Sequence, residues 1–276
     1  MCTREPYNAG RFYPDTKKEI KNLLDTILKK EKPAIDYSLT EKNIIGGVVP
    51  HAGYMFSAYQ AVHFFDIVKN SPKKYDTIFI INPSHTGYGS DIALDENDYW
   101  DSPLGVVEID SDFNNLLDIP KSEIAHQYEH SGEVMLPMLQ YFFDYDFKIL
   151  PITITHQTHK NALTVARNIY ETNKVLKKNI LIIASSDFSH QLPPDVGKKL
   201  DSLVVDQILK LNAEEVEKVV REKNISVCGY GPIMSLIEYT KLVAKNPKVN
   251  ILKRGHSGEV MPSNSVVDYI SILFYK

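Results

Sequence analysis

Three short apolar runs, each stopping at a loop that carries a histidine, set the pattern of this chain. Ile44-Ile-Gly-Gly-Val-Val49 meets Pro50-His51-Ala-Gly53, and Thr77-Ile-Phe-Ile-Ile81 runs into Asn82-Pro-Ser-His85. The third, Ile180-Leu-Ile-Ile-Ala184, runs into Ser185-Ser-Asp187-Phe-Ser-His190. Such runs lack the alternation of a half-exposed strand, which predicts strands covered on both faces, as in parallel sheets. Lys148–Ile154, Val249–Leu252 and Val266–Tyr275 read as further strands. Between them lie segments with helical spacing. Thr16-Lys-Lys-Glu19 is a capping box, and Ile20, Leu23, Leu24, Ile27 and Leu28 follow on one face. Residues 57–69 are apolar almost all round, which predicts a buried helix, with His63 as a core or boundary residue. Helices are also predicted over 158–172, 195–211 and 213–223, and after Pro232. In the 195–211 helix Leu200, Leu203, Val204, Ile208 and Leu211 are expected to face inward. Residues 1–15 read as an ordered loop, and 91–110 as a hairpin region with the single Trp100. This order predicts one α/β domain over residues 1–276, with a central, mostly parallel or mixed sheet covered by helices.

Composition narrows the function classes. A chain of 276 residues with 43% hydrophobic content can bury a real core. Its 31 basic and 35 acidic residues are interspersed, for a net charge of −4, so no basic stripe marks a nucleic-acid binder. No apolar run approaches membrane-spanning length, and the amino terminus lacks a signal-like apolar region. Two cysteines, Cys2 and Cys228, exclude a disulfide framework and fit a reducing compartment. The expectation is a cytoplasmic protein with a small-molecule or peptide ligand and neither nucleic acid nor membrane as partner.

If the three strands are neighbours, His51, His85, Asp187 and His190 converge, because ligands in open α/β sheets bind beyond the carboxyl ends of the strands. Cys228 adds a thiolate, expected to be favoured by a helix start and a nearby cation. His51, His85 and Cys228 would then make a three-ligand metal site with room for substrate, suiting iron, copper or zinc. Asp187, three residues from His190, is expected to fix the imidazole tautomer and leave the other ring nitrogen for proton transfer. The duller alternatives are an inert buried Cys228, a turn-capping Asp187 and an exposed His190. Candidate ligand-binding residues are Phe12, Tyr54, His130 and Glu133; packing is the alternative for Phe12, and helix capping for Glu133. His130-Ser-Gly-Glu-Val-Met135 recurs as His256-Ser-Gly-Glu-Val-Met261 with unrelated flanks, so it does not indicate a duplicated domain.

Pro50-His-Ala-Gly-Tyr54, Asn82-Pro-Ser-His85, Glu129-His-Ser-Gly-Glu133, Ser185-Ser-Asp187 with His190, Cys228-Gly229 with Pro232, and His256-Ser-Gly-Glu-Val-Met261 together resemble the Memo family. The resemblance spans nearly the whole chain. It implies an α/β fold related to class III extradiol dioxygenases, with Fe(II) as the first expected metal and copper or zinc as alternatives. It also implies metal ligation at His51, His85 and Cys228, acid/base chemistry at His190 beside Asp187, and system partners of the AMMECR and radical-SAM types. The resemblance departs from the dioxygenases at Cys228, where those enzymes use a carboxylate. Three functions follow as expectations: a dioxygenase-like redox enzyme, a non-catalytic binding or metal-handling protein, and a hydrolase with Cys228 as nucleophile and His190 as base.

Overall fold

Eleven strands and ten helices are assigned in the computed structural model, which describes residues 2–276. The strands are β1 (Thr3–Arg4), β2 (Ile44–Val49), β3 (Thr77–Pro83), β4 (Ile92–Leu94), β5 (Tyr99–Trp100), β6 (Val107–Glu108), β7 (Lys148–Ile154), β8 (Ile180–Ser185), β9 (His190–Leu192), β10 (Lys248–His256) and β11 (Val266–Tyr275). The helices are α1 (Lys17–Glu31), α2 (Tyr54–Lys69), α3 (Ser111–Leu116), α4 (Glu123–Gln127), α5 (His130–Glu133), α6 (Met135–Phe142), α7 (His159–Leu176), α8 (Pro194–Leu209), α9 (Ala213–Glu222) and α10 (Tyr230–Val243).

The main sheet runs β10-β11-β2-β8-β3-β7-β4. Its centre, β2-β8-β3-β7, is parallel, with Val49 beside Ser185 and Ile81 beside Ala184. β4 closes one edge antiparallel to β7, and β10-β11 close the other. The sheet is therefore mixed, as the alternation of strand and helix signals predicts. Every residue of β2, β3 and β8 is buried, because helices cover both faces. α7 and α10 pack together, with α10 against β2, β3 and β8; α1 and α2 pack together, with α2 against β2 and β11. One continuous apolar core joins these layers.

Local chemistry sets several boundaries. Thr16 caps α1, accepting the Glu19 N–H at 3.3 Å, and Ile20, Leu24 and Ile27 are buried. α2 starts at Tyr54, three residues before its predicted start, with Gly53 as its N-cap. His63 is a core residue paired to Glu31 at 3.0 Å. Residues 2–15 are a loop apart from β1, which joins the β5–β6 hairpin in a small separate sheet. On α8, Val204 and Ile208 are buried and Leu200 packs against the core as expected, as does Leu211 just past its end, whereas Leu203 is 41% exposed and Gly197, Asp201 and Val205 are buried. Asp201 can take an inward position because Ser189 donates two hydrogen bonds to it. The repeated hexapeptide adopts two conformations. His130–Glu133 forms α5, whereas His256 ends β10 and Ser257–Glu259 forms a single 3-10 turn. Among the described residues no helix is long and apolar enough to cross a membrane.

Candidate metal centre

The β2, β8 and β3 strands are adjacent, so the loops at their carboxyl ends share one rim. β2 delivers His51, β3 delivers His85, and β8 ends in Ser185-Ser186-Asp187. Cys228 arrives from the loop before α10. Gly229 lets that loop close: a Cβ there would lie 2.2 Å from the Ser185 carbonyl oxygen and 2.6 Å from the Ser186 Cβ. The ligand atoms of His51, His85 and Cys228 all lie within 4.8 Å of one another. His51 is buried, Cys228 half-buried and His85 exposed, so the floor of the pocket lies at His51 and its mouth at His85.

Hydrogen bonds set the state of each donor. The Ser185 hydroxyl donates its one proton to the Ser131 carbonyl at 2.7 Å, so it accepts from His51 Nδ1–H, also at 2.7 Å. His51 Nε2 is therefore a bare lone pair, 3.1 Å from the Cys228 sulfur. Burial, together with His130, His85 and His190, holds His51 well below the usual histidine range and keeps it neutral. His85 Nδ1 lies 2.8 Å from Glu129 Oε1, which makes Nδ1 the protonated nitrogen and leaves Nε2 free. Glu129 is 2% exposed and also accepts the backbone N–H groups of His85 and Ser131 and the Ser131 hydroxyl. Burial pushes Glu129 up, but His85 and His130 outweigh it and hold it at about 2. A carboxylate behind a histidine in this way orients the ring and raises its basicity toward a metal.

Cys228 does not behave as a free activated thiol. Burial, and then the charge of Asp187, pushes it well above the ordinary range, against the expected pull of the helix start. The Asp187 backbone N–H donates to its sulfur at 3.2 Å, a contact that favours a thiolate once a cation shares the site. Two imidazole rings and a thiol sulfur facing one point fit a soft or borderline transition ion and do not suit magnesium or calcium.

Asp187 and His190 do not pair as expected. The Asp187 carboxylate accepts the His51 backbone N–H at 2.8 Å, and burial raises it to about 6. His190 instead places Nδ1 at 2.9 Å from the Ser226 carbonyl, while its backbone N–H donates to the Ser226 hydroxyl at 2.8 Å. The tautomer expected from Asp187 is thus fixed by Ser226, and Nε2 is again the bare nitrogen. Phe12 stacks on His130 at 4.2 Å, and His130 faces both ligand rings, with centroids 5.4 Å from His51 and 4.5 Å from His85. Burial lowers His130 to about 4, so this wall is uncharged at neutral pH.

Tyr54 and Glu133 lie beneath this wall, in the packing. Tyr54 is 2% exposed and donates its hydroxyl to the Val134 carbonyl. Glu133 forms an ion pair with Arg4 at 2.7 Å and accepts from Asn8 and Tyr13. Arg4, over the Trp100 ring at 4.6 Å, also donates to the carbonyls of His126, Gln127 and Glu129, tying the amino-terminal segment to the pocket's back. Ser185, Ser226 and Arg4 carry no sequence signal of these roles. Glu129 carries one, its place directly before His130.

The family model described as Memo-like protein matches residues 4–273. The chain belongs to the Memo family. Memo relatives align along its whole length: a MEMO1 family protein of Desulfurococcus amylolyticus is 39% identical, covering 100% of both chains. Those of Methanococcoides burtonii and Methanosarcina barkeri are 39% and 35% identical, each covering 98% of this chain and 99% of the relative. Among solved structures, an uncharacterized protein, JW3007, from Escherichia coli K12 is similar with a TM-score of 0.49 and 10% identity, over 77% of this Memo chain and 91% of that one.

Proposed function

We propose that this protein is a metal-dependent redox enzyme of the non-haem type acting on a small ligand. His51, His85 and Cys228 hold the ion, iron(II) ahead of copper or zinc. One observation carries the proposal: three soft or borderline donors within 4.8 Å, two of them with the nitrogen facing the site bared by a partner behind the ring. When bound, the ion would supply Lewis-acid and one-electron chemistry to a ligand and oxygen. The chain's own part is positioning and proton transfer. Phe12 and His130 offer a flat, uncharged wall for an apolar or aromatic group. Ser226 holds the His190 ring, whose bare Nε2 accepts a proton from a ligand hydroxyl and returns it later.

The high position of the metal-free Cys228 thiol argues against the hydrolase alternative, because a nucleophile must be thiolate at working pH. The AMMECR-type and radical-SAM proteins implied by the resemblance are the partners to seek by pull-down.

The first test is elemental analysis of anaerobically purified protein, wild type beside His85→Ala. Near-stoichiometric iron or copper, lost in the variant, is the expected result; zinc would redirect the search to hydrolysis. Absence of metal in the wild type would overturn the proposal and leave a binding module. Oxygen uptake with a panel of catechols, abolished in His190→Ala, then tests the dioxygenase form. Failure there with metal present would sink ring cleavage alone.

A further inference from the structure

Behind the His190 loop, on the side away from the metal ligands, two carboxyl groups meet. Asp201 of α8 and Asp268 of β11 converge on the Ser189 hydroxyl, whose oxygen lies 2.8 Å from Asp201 Oδ2 and 3.5 Å from Asp268 Oδ2, and they are 1% and 7% exposed. Two buried carboxylates facing one hydroxyl repel strongly if both ionise, so the pair holds one proton more readily than an isolated aspartate does. Gly197 makes the approach possible: a Cβ there would lie 2.8 Å from both Asp268 Oδ2 and Ser189 Oγ. Ser189 sits in the joint. Its N–H and hydroxyl donate to Asp201 at 3.1 and 2.8 Å, while its carbonyl accepts the Asp268 N–H at 2.9 Å and the Phe188 N–H donates to the Asp268 carbonyl. Ser189 is thus anchored to α8 by a side chain and to β11 by backbone, one residue before His190.

We propose that Asp201 is a positioning residue for His190, acting through Ser189, and that the proton it shares with Asp268 is a clamp whose loss loosens the Phe188–His190 segment. This builds on the proton-carrying role given to His190 above. Once both carboxylates are charged they part, and Asp201 swinging away takes from Ser189 its side-chain anchor to α8, leaving only the backbone pairing to β11. Space for the movement exists, because both acids line a cavity of about 260 Å³. That cavity also holds Asp195 and Lys198 of α8, Arg254 and His256 of β10, and Glu259 of the following turn. Arg254 has no acidic partner among the described residues, only the Ser202 hydroxyl at 3.2 Å, and can receive a freed carboxylate. Tyr269, next to Asp268 on β11, is neutral across the relevant range because burial and the Asp187 charge push its hydroxyl above the ordinary value. Burial and mutual contact set the titration: Asp201 is raised to about 8, and Asp268 is raised although His256 and Arg254 pull it down.

The test is amide-resolved hydrogen exchange at Phe188, Ser189 and Asp268 from pH 6.5 to 9.5, corrected for base-catalysed intrinsic exchange, on protein as purified. Wild-type protection is expected to fall tenfold or more as pH rises through 8. Asp201→Asn, which keeps the shape and carries no ionisable proton, is expected to stay protected across the range, and so is Asp268→Asn should the first variant fail to fold. A flat wild-type profile, or one whose pH dependence persists in the Asn variants, would overturn the clamp. Because this readout needs neither metal nor turnover, a protein without metal would leave it standing, and a flat profile would leave the metal proposal standing.

Discussion

Glu129 shows how a single side chain decides what the pocket can bind. Its carboxylate accepts four donors and faces His85 from behind, so Glu129→Gln keeps the shape and weakens the hold on Nδ1–H. Metal affinity, measured by competition with a chromogenic chelator, is expected to drop about 10–100-fold. Arg4 and Glu133 stand in a different position. Their pair is 1% exposed on both sides, and removing one partner strands a buried charge. Arg4→Ala is expected to cost about 3–5 kcal/mol in guanidinium unfolding, with the loss shared by Glu133→Ala rather than added to it. These partners were not legible in the sequence. Arg4 and Glu133 are separated by the small sheet and three strands of the main one, and nothing in a dipeptide or its spacing marks a carbonyl or carboxylate so far along the chain. Ser185 and Ser226 are hidden for the same reason: a hydroxyl or carbonyl that sets a histidine tautomer looks like any other loop atom.

At the scale of elements, much more was readable. Unbroken apolar runs ending in Pro, Asn or Ser correctly predicted β2, β3 and β8, because strands covered on both faces need no alternation. Their adjacency placed His51, His85 and Asp187 together. The exception is α8, where Val204 and Ile208 are buried and Leu200 and, just past the helix, Leu211 pack against the core as expected, but Leu203 faces out and Asp201 faces in. Asp201 lies at helical spacing with Gly197, Val204 and Ile208, and a carboxyl group there is tolerated only through Ser189, in the loop before β9. The Cys228 loop makes its own test. Gly229→Ala would drive a Cβ into the Ser185 carbonyl, an overpacking expected to cost about 1–3 kcal/mol in thermal or denaturant unfolding. Since the loop can yield only by moving Cys228, bound metal is expected to fall further than stability does.

The whole molecule should carry the acid pair in its pH profile. An aspartate whose folded value is raised binds its proton more tightly folded than unfolded, so its contribution is full below the ordinary carboxylate range. That contribution is lost as pH climbs from there through about 8. Glu129 acts in the opposite sense, its stabilisation being present above the ordinary range and lost as pH falls toward 2. Chemical unfolding at several pH values should therefore show wild-type stability declining between about pH 5 and 9 relative to Asp201→Asn, a decline that metal removal leaves in place. Equal slopes in the two proteins would contradict the assignment.

The ligands also impose a timetable on the cell. His51 and Cys228 are 177 positions apart, so the first imidazole leaves the ribosome long before the sulfur. At about 5–20 residues per second that interval is roughly 10–35 s. Throughout it, the cluster lacks its own sulfur donor, Cys228. Under the proposed metal assignment, choice of metal belongs to the finished chain, after α10 has docked and Gly229 has brought the last donor down onto β8.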